Sequence, residues 1–223
     1  MHPEYRRPLS VKSIYDGFKI VVTNRVAFCY GLAGTFLFGA MFGFISASQQ
    51  IFVEIYGLGP YFPVAFAAMA GFIAIAQFIN SRVVRHFGMR RLSHFAILVY
   101  LAGASVWLIL ALIGPVPFPV FFANLLIIQF VFGWAASNMN SLSMEPLGNV
   151  AGTAASVFGF TQTVGGALIG TYIGQQFDGT LIPNATGYVT MGILVLVCIL
   201  VAEKGKLFGV GKEYAHAKPG AGR

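Results

Sequence analysis

Acid–base, nucleophilic or metal chemistry in this 223-residue chain would fall to seven carboxylates, four histidines and two cysteines. Their spacing builds none of these. His2, His86, His94 and His216 stand at no metal-like interval from one another or from Cys29 and Cys198, so no metal site is assigned. Gly209-Val-Gly211-Lys212 ends like a phosphate-binding loop, but that loop needs a glycine where Lys206 stands and Ser or Thr where Glu213 stands. No Gly-x-Ser-x-Gly elbow occurs. No acid lies in the middle of an apolar run; Glu145 and Glu203 only flank two of them. The chain reads as a non-enzyme without a cofactor.

What remains for recognition is a set of uncharged polar residues placed inside apolar runs: Ser46, Ser48, Gln49, Gln77, Asn124, Gln129, Thr161, Gln162 and Thr163. Each must find a partner or meet water. They fall in the first, second, fourth and fifth runs, whereas the third and sixth are nearly all aliphatic. Two readings fit each residue singly: a hydrogen bond between helices of a dry bundle, or a place on an aqueous cavity. For the set, a cavity shared by four helices is favoured, with two helices turned to lipid. Ser48, Gln49, Gln77, Asn124, Gln129 and Gln162 are the candidate substrate-cavity residues.

The elements that must hold these residues follow from composition. With 57% hydrophobic and 9% charged residues and a mean hydropathy of +0.77, the chain is too apolar for an ordinary water-soluble domain. Six runs have the length of a bilayer span, namely Val26–Ser48, Tyr61–Ser81, Ser93–Gly114, Phe118–Ser137, Gly152–Gly174 and Thr186–Ala202. The dyad alternation of a membrane β-barrel is missing. The expected fold class is an all-α membrane protein, a six-transmembrane-helix bundle.

The cations then orient it. All 14 Lys and Arg lie before the first run, between the second and third, or after the sixth, and six spans put those three blocks on one side. The other side carries only Glu54 and Asp178. By the positive-inside rule both termini are expected in the cytoplasm. The net charge of +7 then marks a face attracted to anionic lipid of the bilayer rather than a nucleic-acid surface.

Three segments result: 1–25, 26–203 and a basic cytoplasmic tail, 204–223. In the first, Val11, Ile14, Tyr15, Phe18, Val21 and Val22 recur at helical spacing behind a possible Ser10 N-cap, which suits an interfacial amphipathic helix or a plain tether. No signal peptide is visible there. Cys29 and Cys198 both fall inside runs, where small apolar packing is expected rather than a disulfide. Small residues at every fourth position mark close helix contacts: Gly39 and Gly43, Ala67 and Gly71, and Gly166, Gly170 and Gly174. Ala67-Ala68 with Gly71-Phe72 is faintly echoed by Ala154-Ala155 with Gly159-Phe160 three spans later, as inverted repeats would give.

Met144-Glu-Pro-Leu-Gly-Asn-Val-Ala-Gly-Thr-Ala-Ala-Ser156, leading into Gly159-Phe160-x-Gln162-x-x-Gly165-Gly166-Ala167, carries a family resemblance. The chain resembles the C-terminal half, helices seven to twelve, of a major facilitator superfamily transporter of the bicyclomycin and chloramphenicol resistance (Bcr/CflA) type. Asn138 sits where that family often has a Pro-Asn pair, with Ser137 in place of the proline. Pro3-Glu4-x-Arg6 is similar to the end of the family's central loop. The cluster Arg82, Arg85, Gly88, Arg90 and Arg91 is similar to its loop between helices eight and nine. That loop carries a worn copy of Gly-x-x-x-Asp-Arg-x-Gly-Arg-Arg, in which Ser81, Arg85 and His86 replace the first glycine, the aspartate and the first arginine. The lost acid leaves a basic hinge loop that sets topology.

The resemblance implies half of a transporter fold, a 3+3 inverted repeat. It also implies export of small amphipathic drug-like molecules, coupled to protons through an acid in the other half, from a bacterial inner membrane. The implied partner is an N-terminal six-helix half. A truncated, non-transporting bundle and a transporter half for another small solute are the alternatives.

Overall fold

The computed structural model describes residues 18–209, so segment 1–25 falls mostly outside it, as does the tail beyond 209. Within these bounds the chain is all helix, with no strand among the described residues. A short helical turn over 18–23 ends at Asn24, whose extended backbone (ψ 107°) and side-chain oxygen cap the next helix through the Ala27 N–H at 3.0 Å. Val21 of that turn is buried against Ala27, Leu147, Val150, Ala154 and Phe158. The approach to the first span is thus docked on the bundle along at least part of its length.

The helices are α1 (Arg25–Gln49), α2 (Phe62–Phe87), α3 (Met89–Ile113), α4 (Phe118–Met144), α5 (Ala151–Phe160), α6 (Gly166–Gln175) and α7 (Ile182–Ala202). Five helical stretches are long and apolar enough to cross a membrane. The fifth apolar run is different. There α5 and α6 are joined by a π-helical turn, Thr161–Gly165, so 151–175 is one rod in two pieces. Most helices run past the apolar limits by several residues, and α2 reaches Phe87 rather than Ser81. Hydropathy reads the bilayer core, whereas a helix continues until its backbone is capped. For α2 that happens at Gly88, whose φ of +81° suits a residue without a Cβ and turns the chain directly into α3. At the other end Thr180 directs the chain into α7. Its hydroxyl accepts from the Ile182 N–H, while Asp178 accepts from the Thr180 hydroxyl at 2.7 Å and amide at 3.0 Å. Those bonds, the hydroxyl first, hold the Asp178 carboxyl below its ordinary range.

Packing follows a swap rule. The first helix of the first triplet, α1, packs on α5–α6 and α7; the first helix of the second, α4, packs on α2 and α3. α1 meets α4, and α3 meets α7. Exchanging the triplets α1–α2–α3 and α4–(α5–α6)–α7 leaves this pattern unchanged, as a 3+3 repeat requires. The core lies between α1, α3, α4 and α7 and is strongly aromatic: Tyr30, Phe44, Tyr100, Trp107, Phe121 and Tyr188 are all buried. Cys29 and Cys198 are free and buried, as small apolar packing demands.

Candidate functional site

Two cavities stand out. One, of about 510 Å³, lies at the loop end away from the arginines, lined by Ile55, Tyr56, Pro115, Pro117, Phe118 and Thr180 among others, and no amide or charged side chain lines it. The second, of about 480 Å³, has the polar chemistry. Phe38 of α1, Gln77 of α2, Ala136, Ser137, Asn140 and Met144 of α4, and Ala155, Gly159 and Gln162 of the fifth rod line it. The lining therefore comes from the first, second, fourth and fifth spans. Its volume falls in the range of small-molecule sites, and an apolar wall with a few amides is the usual composition of one.

Local structure explains how the two glutamines reach it. Gln162 sits in the π turn, where the extra residue per turn re-aims a side chain that a regular helix would place elsewhere. Gly34 makes the room: a Cβ there would come within 2.6 Å of the Gln162 amide nitrogen. Gln77 is anchored by donating Nε2 to the Gly133 carbonyl of α4 at 3.0 Å.

The other polar residues go elsewhere. Asn124 donates to the Gly103 carbonyl at 3.1 Å, bridging α4 to α3. Gln129 is buried (3% exposed), with its amide oxygen unpaired among the described residues. Ser48 is buried and donates to Ile45 of its own helix at 2.7 Å. Gln49 is exposed at the end of α1. None of these four lines the polar cavity. Residue type and span were legible in the sequence, but direction around the helix was not.

The small residues separate in the same way. On α1, a Cβ at Gly39 would fall 2.7 Å from Ile169, and one at Gly43 would fall 2.8 Å from Ile173. Facing them, a Cβ at Gly170 would lie 2.8 Å from the Gly43 backbone nitrogen, one at Gly174 2.6 Å from Ser46, and one at Gly166 3.1 Å from Phe38. These five glycines form a single α1–α6 contact. The Ala67–Gly71 spacing does not behave so, because a Cβ at Gly71 would meet nothing.

At the basic end, Arg82, Arg85 and Arg91 are exposed, with Arg82 resting 5.1 Å from the Phe78 ring. Arg90 turns inward. Its guanidinium bonds Glu145 at 3.0 Å and Glu203 at 2.9 Å, with side-chain exposures of 16%, 28% and 12% respectively. Sequence reasoning left these two acids as mere flanks. Separated from Arg90 by 55 and 113 positions, they reach one cation only because the ends of α3, α4 and α7 converge. Two acids at the ends of α4 and α7 thus partner the loop's Arg90. The basic loop is a clamp as well as a cluster of surface charge.

Comparison with known proteins places this geometry. A "Bicyclomycin resistance protein homolog" from Haemophilus influenzae is 27% identical over 203 residues, which cover 88% of this chain and 49% of that protein. An "Uncharacterized MFS-type transporter YdgK" from Bacillus subtilis is 23% identical over 214 residues, covering 94% of this chain and 50% of that one. The chain spans about half the length of these curated relatives. No solved structure matches at a significant level. Residues 2–171 match the Major Facilitator Superfamily, and with its six-span, triplet-swapped bundle the chain belongs to that superfamily of integral membrane transport proteins.

Proposed function

We propose that the chain is the C-terminal half of a proton-coupled multidrug efflux antiporter. Paired with a six-helix N-terminal half, it would export small amphipathic drugs from a bacterial cytoplasm by alternating access. The carrying observation is the polar cavity, whose walls come from α1, α2, α4 and the fifth rod and which presents the amides of Gln77, Asn140 and Gln162 and the Ser137 hydroxyl on a mostly apolar surface. Such a wall suits a ligand that is largely greasy with one or two hydrogen-bonding groups. The relative named for bicyclomycin resistance supports a drug-like substrate. The one-sided basic blocks support a cytoplasmic location for both termini and an inner-membrane setting.

Proton coupling is assigned to the partner half, because every acid of this chain lies outside the middle of the apolar runs. On this reading the chain is a transporter and not an enzyme. Gln162→Leu and Gln77→Leu, introduced into the paired halves, should each change the resistance spectrum while membrane expression stays constant. An unchanged spectrum in both variants would remove the cavity from the substrate path.

A further inference from the structure

A second polar network lies beside the Arg90 clamp, and none of its residues lines the polar cavity. The Phe208 backbone N–H donates to His94 Nδ1 at 2.9 Å. His94 Nε2 lies 3.1 Å from the Tyr30 hydroxyl, which donates to Glu203 Oε1 at 2.8 Å. Arg90 Nε donates to that same oxygen at 2.9 Å. The first bond fixes the rest. An amide N–H can only donate, so Nδ1 must offer a lone pair, and the one proton of the neutral ring is on Nε2. Nε2–H then donates to the Tyr30 oxygen, and the Tyr30 proton is left for Glu203.

His94 is fully buried, and its ring meets the Phe208 ring edge-on at 5.7 Å. Backbone bonds from the Gly205 N–H to the Leu200 carbonyl at 2.7 Å and from the Lys206 N–H to the Glu203 carbonyl at 3.1 Å tie the start of the segment that carries Phe208 to the end of α7. Phe208 itself lies beyond those bonds, with a φ of 60°, a left-handed backbone that side chains disfavour. There the chain is held by the packing of Leu207 on the core and by the two contacts of Phe208 with His94.

We propose that His94 is a proton-binding site whose neutral form latches Phe208, and with it the chain that leaves the capping turn after α7, onto the bundle, and whose protonated form releases it. An added proton would go to Nδ1, the ring nitrogen that carries none in the neutral form. Nδ1–H and the Phe208 N–H would then be two donors facing each other, and that bond is lost. Lys204 and Lys206, both exposed on the same segment, are repelled by the new charge.

Four titratable groups face or adjoin the ring. Tyr30 faces it from α1, Arg90 from α3 and Glu203 from the end of α7, with Glu145 beyond Arg90. Two carboxylates stand against one guanidinium among these described residues. Through Tyr30 the charge on Nε2–H is felt at the very carboxylate that Arg90 grips.

The test uses the full 223-residue chain in lipid nanodiscs, with Cys29 and Cys198 replaced by alanine and a nitroxide on Lys206→Cys. Label mobility should rise as the pH falls below about 6.5, the ordinary midpoint of a histidine. His94→Gln, which keeps an acceptor but cannot titrate there, should abolish that rise; His86→Gln should not. Tyr30→Phe should move the midpoint to lower pH, because the link to Glu203 is cut. A pH-independent label in the parent, a transition that survives His94→Gln, or an unmoved midpoint in Tyr30→Phe would each overturn the proposal. This readout needs no transport, so its failure is separable from failure of the transporter reading.

Discussion

The second helix of each triplet occupies an equivalent place in the fold, yet α2 and the 151–175 rod are attached by opposite means. α2 is held to α4 by directed hydrogen bonds. Gln77 donates to the Gly133 carbonyl at 3.0 Å, Trp134 donates to the Ala76 carbonyl at 2.8 Å, and Asn80 and Asn138 exchange amide bonds at 2.8 and 3.4 Å. The rod is held to α1 by absence, since five glycines let two backbones meet. Lipid supplies no hydrophobic drive between helices, so either close packing or polar bonding must do the work. The two interfaces have each taken one. A hydrogen-bonded contact can break and re-form one bond at a time, whereas a glycine seam excludes intermediates. The broken rod also differs in carrying a π turn, which places Gln162 in the cavity; α2 reaches the same cavity with an unbroken helix and Gln77.

If the seam is as tight as it looks, Gly170→Leu has the largest effect. The new side chain would start within 2.8 Å of the Gly43 backbone, which has nowhere to go. About 3 kcal/mol or more of stability should be lost, seen as a collapse in folded yield and a lower unfolding temperature in detergent. Wild-type stability would mean that the seam does not hold the rod. A smaller effect is expected across the polar interface. A double-mutant cycle of Asn80→Ala and Asn138→Ala should give a coupling of about 0.6 kcal/mol, and at most about 1.7, as found for hydrogen bonds between membrane helices. A coupling near zero would show that α2 is held by something other than its side-chain bonds. Smallest of all is Gly71→Leu on the outward face of α2, where a Cβ meets nothing. Stability should stay within about 0.5 kcal/mol. Losses like those of Gly170→Leu would place an unseen contact on that face.

This contrast also shows what the sequence could and could not reveal. Gly39-x-x-x-Gly43 and Gly166-x-x-x-Gly170-x-x-x-Gly174 looked like contact faces, and both meet in one contact; Ala67-x-x-x-Gly71 has the same spacing and touches nothing. Spacing states that a helix has a smooth face, not that a neighbour has come to it. Span positions were legible because the bilayer sets a length of about 20 residues. Which way Asn124 and Gln129 point was not, since one residue around a helix is a turn of 100°. The His94–Tyr30–Glu203–Arg90 network escaped notice for a different reason. Tyr30 and Glu203 are separated by 173 positions, and no local pattern announces such a meeting. The π turn at Thr161–Gly165 left no signal beyond a polar Thr-Gln-Thr inside a span.

On the proposed function this bundle is one wall of a transporter that needs a second. Alternating access requires two bundles rocking about a site near the bilayer midplane, and one bundle offers no opposing wall. The most direct measurement follows a fluorescent amphipathic cation in cells that express this chain alone, a matching six-helix N-terminal half alone, or both together. Full dye accumulation is expected in the first two cases, and energy-dependent extrusion only when the halves are co-expressed. Extrusion by the lone chain, or none from a membrane-inserted and stably associated pair, would contradict it.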